Sequence, residues 1–307
     1  MKKNIDSFLE YLTVIRNASD NTIAAYRRDL TRFAAEMEER GANSPDQMTE
    51  EMVADYFFAL ERENTAKTTL ARHMSSVRAF FRFLVENDDV QRNLTDSLEQ
   101  PKIRRVRPEI LTAEEVDRLL AAPDTKSALG RRDRAILELL YASGLKVGEL
   151  VALYPDDIDL RSAIVRIRSE KQTPETKGQK GKKEKQREIP FGEKARDALL
   201  IWIGQGRDRY VSPLAVAPLF VNSRGKSLSR QSVWKLVRHY ADEAGIRKEV
   251  SPGMLRHSFA AHLMKNGADA RSLTRMLGYT AETQTVIYED DETLRLRDVY
   301  ARAQRRG

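Results

Sequence analysis

One short segment divides this chain into two parts. Residues 101–108 carry four cations and no acid, with a proline at each end. Proline disfavours helical conformations in the residue before it, so this pattern predicts an extended linker. A length of 307 residues is enough for two domains that each bury a core. We therefore predict one domain over residues 1–100, a basic linker over 101–108 and a second domain over 109–307.

The first domain is predicted to be a bundle of four helices, because its apolar residues recur every three or four positions. Ser19 or Asp20 can cap the second helix and Gly41 can end it. Thr49 can cap the third helix.

The fourth helix, predicted over residues 66–86, has one polar face. That face combines hydroxyl groups with cations, which suit the phosphates and base edges of a DNA groove. The alternative is an ordinary solvated helix surface. The candidate DNA-binding residues on this face are Thr68, Arg72, Ser75 and Arg78.

The second domain opens with a capping box, Thr112 to Glu115, and is predicted to combine helices with a small sheet. Helices are predicted over residues 131–142, 147–153, 229–244 and 255–266, and from Gly192. Two strands of a small antiparallel sheet are predicted over 163–168 and 187–190, with a third over 219–221. The predicted fold class is therefore mainly α, with a four-helix domain followed by an α+β domain.

A lysine-rich loop over residues 169–186 connects the first two predicted strands. Its Gly, Pro and Thr residues are typical of a hairpin tip. Such a run is either a solvated loop or an arm that places a lysine in a DNA site.

Composition narrows the classes of function. The formal net charge is +7, from 53 basic and 46 acidic residues, and there is no cysteine. Disulfides and thiolate metal sites are therefore excluded, which fits a reducing cytoplasm. The sequence has no apolar run that could span a bilayer, no zinc-protease motif and no glycine-rich nucleotide loop. We expect a cytoplasmic protein with no metal, no cofactor and no membrane partner.

The remaining candidates for chemistry are a tyrosine and scattered cations. A tyrosine hydroxyl can cleave a phosphodiester without a metal if fixed cations surround the phosphate oxygens and a donor protonates the leaving oxygen. Arginine suits this task because its planar guanidinium binds two phosphate oxygens. Spacing alone favours an ordinary interpretation, in which Tyr288 is a core or rim tyrosine and Arg256 is a helix-surface arginine. The residues concerned are Tyr288, Arg256, Lys182 and Lys146.

A family resemblance favours the catalytic interpretation. Nearly end to end, the chain resembles the Xer-type tyrosine recombinases of the phage integrase family. In the first domain the resemblance is carried by residues 19–22 and 72–84; in the second it is carried by 132–145, the motif Leu255-Arg256-His257-Ser258-Phe259-Ala260, Leu277-Gly278 and Tyr288. It implies a SAM-like core-binding domain and a catalytic domain that together clamp duplex DNA.

The resemblance also implies the role of each residue. Tyr288 matches the nucleophile that forms a 3′-phosphotyrosyl bond, and Arg256 matches the second catalytic arginine. Lys182 aligns with the hairpin lysine that acts as general acid. No nucleotide cofactor is needed, because the phosphotyrosyl bond stores the energy of the cut. A helix over residues 293–304 would pack on a neighbouring subunit. Residues expected to contact DNA around this site are Arg104, Arg105, Lys185 and Arg187.

Three positions depart from the family pattern. Lys146 stands where the family has its first catalytic arginine, Gly253 where it has histidine, and Tyr279 where it has histidine or tryptophan. Lysine keeps the positive charge but lacks the planar guanidinium that binds two phosphate oxygens. Glycine has no imidazole, whereas tyrosine can still donate a hydrogen bond. The loss of one preorganised donor costs roughly 3 kcal/mol. Two such losses would slow cleavage by about 10⁴.

Two functions remain open. The first is a site-specific recombinase with a weakened site, acting on a roughly palindromic duplex with a second copy or a second recombinase. The second is a catalytically silent paralogue that binds such a site and partners an active recombinase. A type IB topoisomerase would share the chemistry, but the first domain argues against it.

Overall fold

The computed structural model describes residues 1–16, 18–101, 108–168, 187–212 and 215–278. The chain forms two compact units, Met1–Val106 and Arg107–Gly307. Both are built mainly from helices, as predicted. Within the described ranges, no helix is both long and apolar enough to cross a membrane.

Four helices form the first unit, as predicted from the spacing of apolar residues: α1 (Lys2–Val14), α2 (Asp20–Glu39), α3 (Glu50–Arg62) and α4 (Lys67–Glu86). Ser19 caps α2 by accepting a hydrogen bond from the Thr22 amide, and Thr49 caps α3 by accepting one from the Met52 amide. Gly41 follows the end of α2 with a φ of 88°, a conformation that favours glycine.

The core of the first unit is aromatic and encloses one polar network. The rings of Phe33 and Tyr56 meet edge to face, with centroids 5.2 Å apart. The Tyr56 hydroxyl lies 3.0 Å from His73 Nδ1, and His73 Nε2 lies 3.1 Å from Asp29 Oδ1. Asp29 is buried, and its other carboxylate oxygen accepts hydrogen bonds from Arg72 and Ser76. This network joins α2, α3 and α4.

The second unit is assembled around a buried helix, α6, which packs against α5, α8 and α10. Leu137, Leu139 and Ile136 of α6 are fully buried. The helices of this unit are α5 (Ala113–Ala121), α6 (Ala128–Ser143), α7 (Val147–Val151), α8 (Glu193–Gln205), α9 (Arg230–Glu243), α10 (Pro252–Lys265) and α11 (Ala270–Leu277).

The described sheet is antiparallel and small, and one of its strands differs from the prediction. Its order is β1 (Ile158–Asp159), β2 (Ile164–Ile167) and β3 (Arg187–Pro190). The strand predicted over residues 219–221 is wrong, because only Val221 forms an isolated bridge there. The Leu219 amide donates to the Leu153 carbonyl, and the Leu219 carbonyl accepts from the Trp202 indole. Burial rather than strand pairing therefore explains this apolar run.

Two helices begin earlier than predicted, for one shared reason. Ser127 caps α6 by accepting from the Gly130 amide, and Ser251 caps α10 by accepting from the Met254 amide. Each cap lies several residues before the first strongly periodic apolar position. Pro252 occupies the first turn of α10, where its missing N–H leaves no donor unpaired.

Candidate functional site

The turn from Gly144 to Glu149, which connects α6 to α7, is the centre of the candidate site. Gly144 ends α6 in the left-handed conformation, with a φ of 59°. A Cβ on Gly144 would lie 2.6 Å from the Phe259 ring and 2.7 Å from the Leu277 side chain, so only glycine fits. The chain then presents Lys146, an exposed residue, at the start of α7.

Arg256 is brought to this turn by α10 and is only 7% exposed. Its Nη1 donates to the Gly144 carbonyl at 2.5 Å, and its Nη2 donates to the Leu277 carbonyl at 2.6 Å. Both carbonyls lie at helix C-termini, where the helix dipole favours a positive charge. Two segments far apart in sequence therefore fix the plane of this guanidinium.

Glu149 supplies an acid at the same turn. Its Oε2 accepts from the Lys146 amide at 2.8 Å, and Arg187 Nη2 donates to both of its carboxylate oxygens at 2.9 and 2.8 Å. Arg187 Nη1 donates to the Leu277 carbonyl at 3.1 Å, so this carbonyl accepts from two arginines.

A fourth cation, Arg230 at the start of α9, lies across Gly148. A Cβ on Gly148 would be 2.8 Å from Arg230 Nη2 and 3.0 Å from its Cζ. The absence of a side chain at this position therefore admits the guanidinium to the turn. Three arginines thus approach the turn from β3, α9 and α10, and Lys146 lies in the turn itself, which concentrates positive charge there.

Gly253 and its neighbourhood are open. Gly253 is exposed in the first turn of α10, and among the described atoms a Cβ built on it would come within 4 Å of the Ser251 hydroxyl alone, at 3.6 Å. One turn further along, burial lowers the pKa of His257, and the adjacent Arg256 charge lowers it further. The buried His257 Nδ1 finds no hydrogen-bond partner among the described residues.

On α4, the four candidate DNA-binding residues share one helix face but differ in their contacts. Thr68 is exposed, whereas the Arg72 guanidinium is paired with buried Asp29. The Ser75 hydroxyl donates to the Ala71 carbonyl at 2.8 Å. Arg78 Nη2 donates to the carbonyls of Thr95 and Leu98 at 3.2 and 2.7 Å, which ties the segment after α4 to the helix.

Several predicted site residues lie outside the described residues. They are Lys182, Tyr279 and Tyr288 of the catalytic set, and Arg104, Arg105 and Lys185 of the DNA-binding set. The predicted helix over residues 293–304 lies outside them as well. Of the described catalytic candidates, Lys146 and Arg256 reach the same turn.

Sequence reasoning missed two residues of this site, Glu149 in the turn and Arg230 at the start of α9. A signal for Glu149 exists, because an acid three residues after a helix N-cap commonly accepts from the N-cap amide. Arg230 had no comparable signal, since its approach depends on Gly148 in another helix. The arrangement can bind an anion, and the described residues contain no group of three histidine or carboxylate side chains that could hold a metal ion.

Comparison with known proteins identifies the family. Residues 109–295 match the phage integrase family, and residues 5–88 match the phage integrase N-terminal SAM-like domain. The tyrosine recombinase XerD of Listeria innocua is 36% identical over 302 residues, which cover 98% of each chain. XerD of Staphylococcus haemolyticus is 33% identical over 300 residues, again 98% of each chain.

Solved structures of recombinases and integrases share the fold of this chain. The XerA recombinase is 28% identical, with a TM-score of 0.53 over 98% of both chains. A Tn1549 transposon integrase shares the fold at 18% identity, with a TM-score of 0.71 over 97% of this chain and 99% of its own. The predicted resemblance and fold class are thereby confirmed. The chain belongs to the phage integrase family, among the Xer-type tyrosine recombinases.

Proposed function

We propose that this chain cuts and rejoins duplex DNA at a specific site, more slowly than a recombinase with the full family set of catalytic residues. The Tyr288 hydroxyl attacks the scissile phosphorus, releases its proton to water and forms a 3′-phosphotyrosyl bond while the bond from phosphorus to the 5′ oxygen breaks. The 5′ oxygen leaves with a proton donated by Lys182, and the reverse attack by a 5′ hydroxyl rejoins the strand. Arg256 and Lys146 surround the phosphate oxygens.

The observation that carries this proposal is the preorganised guanidinium of Arg256. It is buried and held by two helix C-terminal carbonyls at 2.5 and 2.6 Å. A charge fixed in this way needs little reorganisation as negative charge develops on the phosphate, which is the main source of electrostatic catalysis.

The reduced rate follows from two substitutions near this guanidinium. Lys146 offers a point charge in place of a planar fork. Gly253 offers no proton donor, and among the described residues only the Ser251 hydroxyl lies within 4 Å of the place that a Cβ would take there. Losses within one site are not additive, so the combined effect is smaller than the product of the two.

The proposed substrate is a duplex with two inverted half-sites, each bound by one subunit. XerH was crystallised with its palindromic difH substrate, and a λ integrase dimer was crystallised on a core site. Both share this fold. In this chain, the polar face of α4 and the basic residues 101–108 would contact the backbone phosphates. The partner is a second copy or a second recombinase.

The alternative is a silent paralogue that binds the site and supports an active partner. The exposed Gly253 favours this alternative, because no described side chain comes within 4 Å of the place of its Cβ except Ser251, whose hydroxyl lies at 3.6 Å. Both functions require site-specific DNA binding, so binding alone does not separate them.

A nicked suicide duplex carrying the cognate site separates the two functions. Cleavage releases a short strand that cannot be rejoined, so a covalent protein–DNA adduct accumulates on a denaturing gel. We expect a slow adduct with the natural chain and none with Tyr288→Phe. Tight binding without adduct would leave the silent paralogue as the function.

A further inference from the structure

Arg187 begins β3, directly after the lysine-rich loop, and the sequence predicts that it contacts DNA. In the folded chain its guanidinium is engaged within the catalytic domain instead. Nη2 donates to both oxygens of Glu149, and Nη1 donates to the Leu277 carbonyl. The Arg187 and Glu149 side chains are only 17% and 16% exposed, so little of this pair can meet a phosphate.

These contacts join three segments that each lead to a substituted or catalytic position. Glu149 also accepts from the Lys146 amide and therefore holds the start of α7. Leu277 lies two residues before Tyr279. Arg187 itself lies five residues after Lys182, directly after the lysine-rich loop that contains Lys182.

A glycine allows the guanidinium to approach the backbone at the end of α11. Gly278 ends α11 with a φ of 64°, and a Cβ on it would overlap the Arg187 guanidinium. A side chain here would both strain the backbone and displace Arg187. The close approach of Arg187 to this backbone is therefore built into the turn.

Arg256 depends on the same carbonyl. Leu277 accepts from Arg256 Nη2 at 2.6 Å and from Arg187 Nη1 at 3.1 Å. A displacement of Leu277 after loss of Arg187 would also move one of the two acceptors that orient Arg256. Glu149, in turn, offsets the mutual repulsion of the cations at this turn.

We infer that Arg187, held by Glu149, is a positioning residue of the recombination reaction. It fixes the backbone before Tyr279, the start of α7 at Lys146 and the acceptor of Arg256. This inference rests on the proposed function. Lysine cannot take this role, because an ammonium on a flexible stem cannot hold a carboxylate and a carbonyl in one fixed plane.

Cleavage rates on the suicide duplex test the inference. We expect Arg187→Lys, Arg187→Met and Glu149→Gln each to lower the rate about 10- to 100-fold, since small misplacements of catalytic groups have effects of this size. The double variant Arg187→Met/Glu149→Gln should be little slower than either single variant, because each single variant already breaks the same Arg187–Glu149 pair. Arg166→Met is the matched control, since Arg166 lies in the same sheet and pairs with Glu188 and Asp159 away from this turn.

Two readouts do not need cleavage and distinguish positioning from a DNA contact. A lost phosphate contact would reduce the slope of log affinity against log salt by about 1, and lysine would largely restore it. For a positioning residue we expect an unchanged slope in Arg187→Met. Amide exchange at Lys146 and Gly278 should rise at least about threefold in the same variant, while exchange at Leu139 in the core stays constant.

The inference is overturned if Arg187→Lys cleaves normally, or if Arg187→Met lowers the salt slope and leaves amide exchange unchanged. If the natural chain forms no adduct, the proposed cleavage fails, and the slope and exchange data still decide the role of Arg187. If Arg187→Met fails to fold, amide protection at Leu139 will be lost too. The variant Glu149→Gln, which breaks the same ion pair, then replaces Arg187→Met in the slope and exchange measurements.

Discussion

At the scale of single residues, Lys146 and Gly253 are two departures from the family pattern that both lie at exposed positions. Lys146 is exposed at the start of a short helix, and Gly253 is exposed in a first helical turn. At Gly253 a Cβ would come within 4 Å of one described side-chain atom, the Ser251 hydroxyl at 3.6 Å. Both substitutions toward the family pattern are therefore compatible with this fold.

We expect Gly253→His to raise the cleavage rate about 10- to 100-fold, because a positioned donor at the reacting phosphate contributes on that scale. The fold should not suffer, since Ser251 Oγ, at 3.6 Å, is the one atom of the described ranges within 4 Å of the Cβ. Replacing a helical glycine should instead stabilise the chain by about 0.3–0.5 kcal/mol. Suicide-duplex kinetics and thermal unfolding measure the two effects.

Gly204→His is the matched control for this change. Gly204 is also an exposed helical glycine, in α8, and no described atom lies within 4 Å of the place that its Cβ would take. It should show the same gain in stability and no gain in cleavage. Equal cleavage by the natural chain and Gly253→His would show that this position does not face the phosphate.

The variant Lys146→Arg tests separately the effect of the missing guanidinium. A guanidinium here can bind two phosphate oxygens, so we expect about tenfold faster cleavage at unchanged DNA affinity. Combined with Gly253→His, the gain should differ from the product of the single gains, because both groups act on one phosphate. A rate unaffected by both changes would contradict the alignment of these positions.

At the scale of secondary-structure elements, the buried network of the first unit makes its stability depend on pH. Burial lowers the pKa of His73 below its usual value of about 6.5, despite the opposing effect of Asp29. The neutral ring fits the contacts, with Nε2–H donating to Asp29 and Nδ1 accepting from the Tyr56 hydroxyl. Protonation would remove that acceptor.

The sign of the pH effect follows from the lowered pKa. The unfolded chain binds the proton more readily, so the contribution of His73 to stability is complete above about pH 6.5 and is lost as the pH falls toward the folded-state pKa. Each unit of lowering corresponds to about 1.4 kcal/mol. Urea unfolding at pH 5 and pH 7.5 measures the loss.

His73→Gln should flatten this pH dependence, because an amide can replace both hydrogen bonds without titrating. His239→Gln is the control, since His239 is 61% exposed and beside Glu243. It should leave the pH dependence as in the natural chain. An equally steep loss of stability in His73→Gln would assign the effect to other groups.

Most of the helices could be predicted from the sequence, and the reason is local. Apolar spacing and capping residues such as Ser19, Thr49 and Thr112 act within one or two turns. Residues 219–221 were wrongly predicted as a strand because their partners, Leu153 and Trp202, are distant in sequence. The contacts of Arg187 could not be predicted for the same reason. The sequence analysis named the residue as a DNA contact, whereas its partners Glu149 and Leu277 are visible only in the tertiary structure.

At the scale of the whole molecule, charge governs the expected affinity for DNA. The excess of 53 basic over 46 acidic residues is modest for 307 residues. Many cations of the first unit are also paired internally, such as Arg27 with Asp6 and Arg32 with Glu63. Binding must therefore depend on a limited set of basic residues that meet phosphates, among which residues 101–108 have no acid of their own.

Substitutions in the linker, residues 101–108, give the sharpest test of which basic residues contact phosphates. If the full chain contacts 6–10 phosphates, its affinity should fall by about 10³–10⁵ between 50 and 200 mM salt. Arg104→Gln/Arg105→Gln should weaken binding to all sequences alike and reduce the salt slope by about 2, because two phosphate contacts are lost. The control Arg27→Gln removes one positive charge that is paired with Asp6 within the first unit, and it should leave the salt slope unchanged. Fluorescence anisotropy with a labelled duplex at several salt concentrations measures all three slopes, and a double variant with the natural slope would show that the linker cations do not touch the DNA backbone.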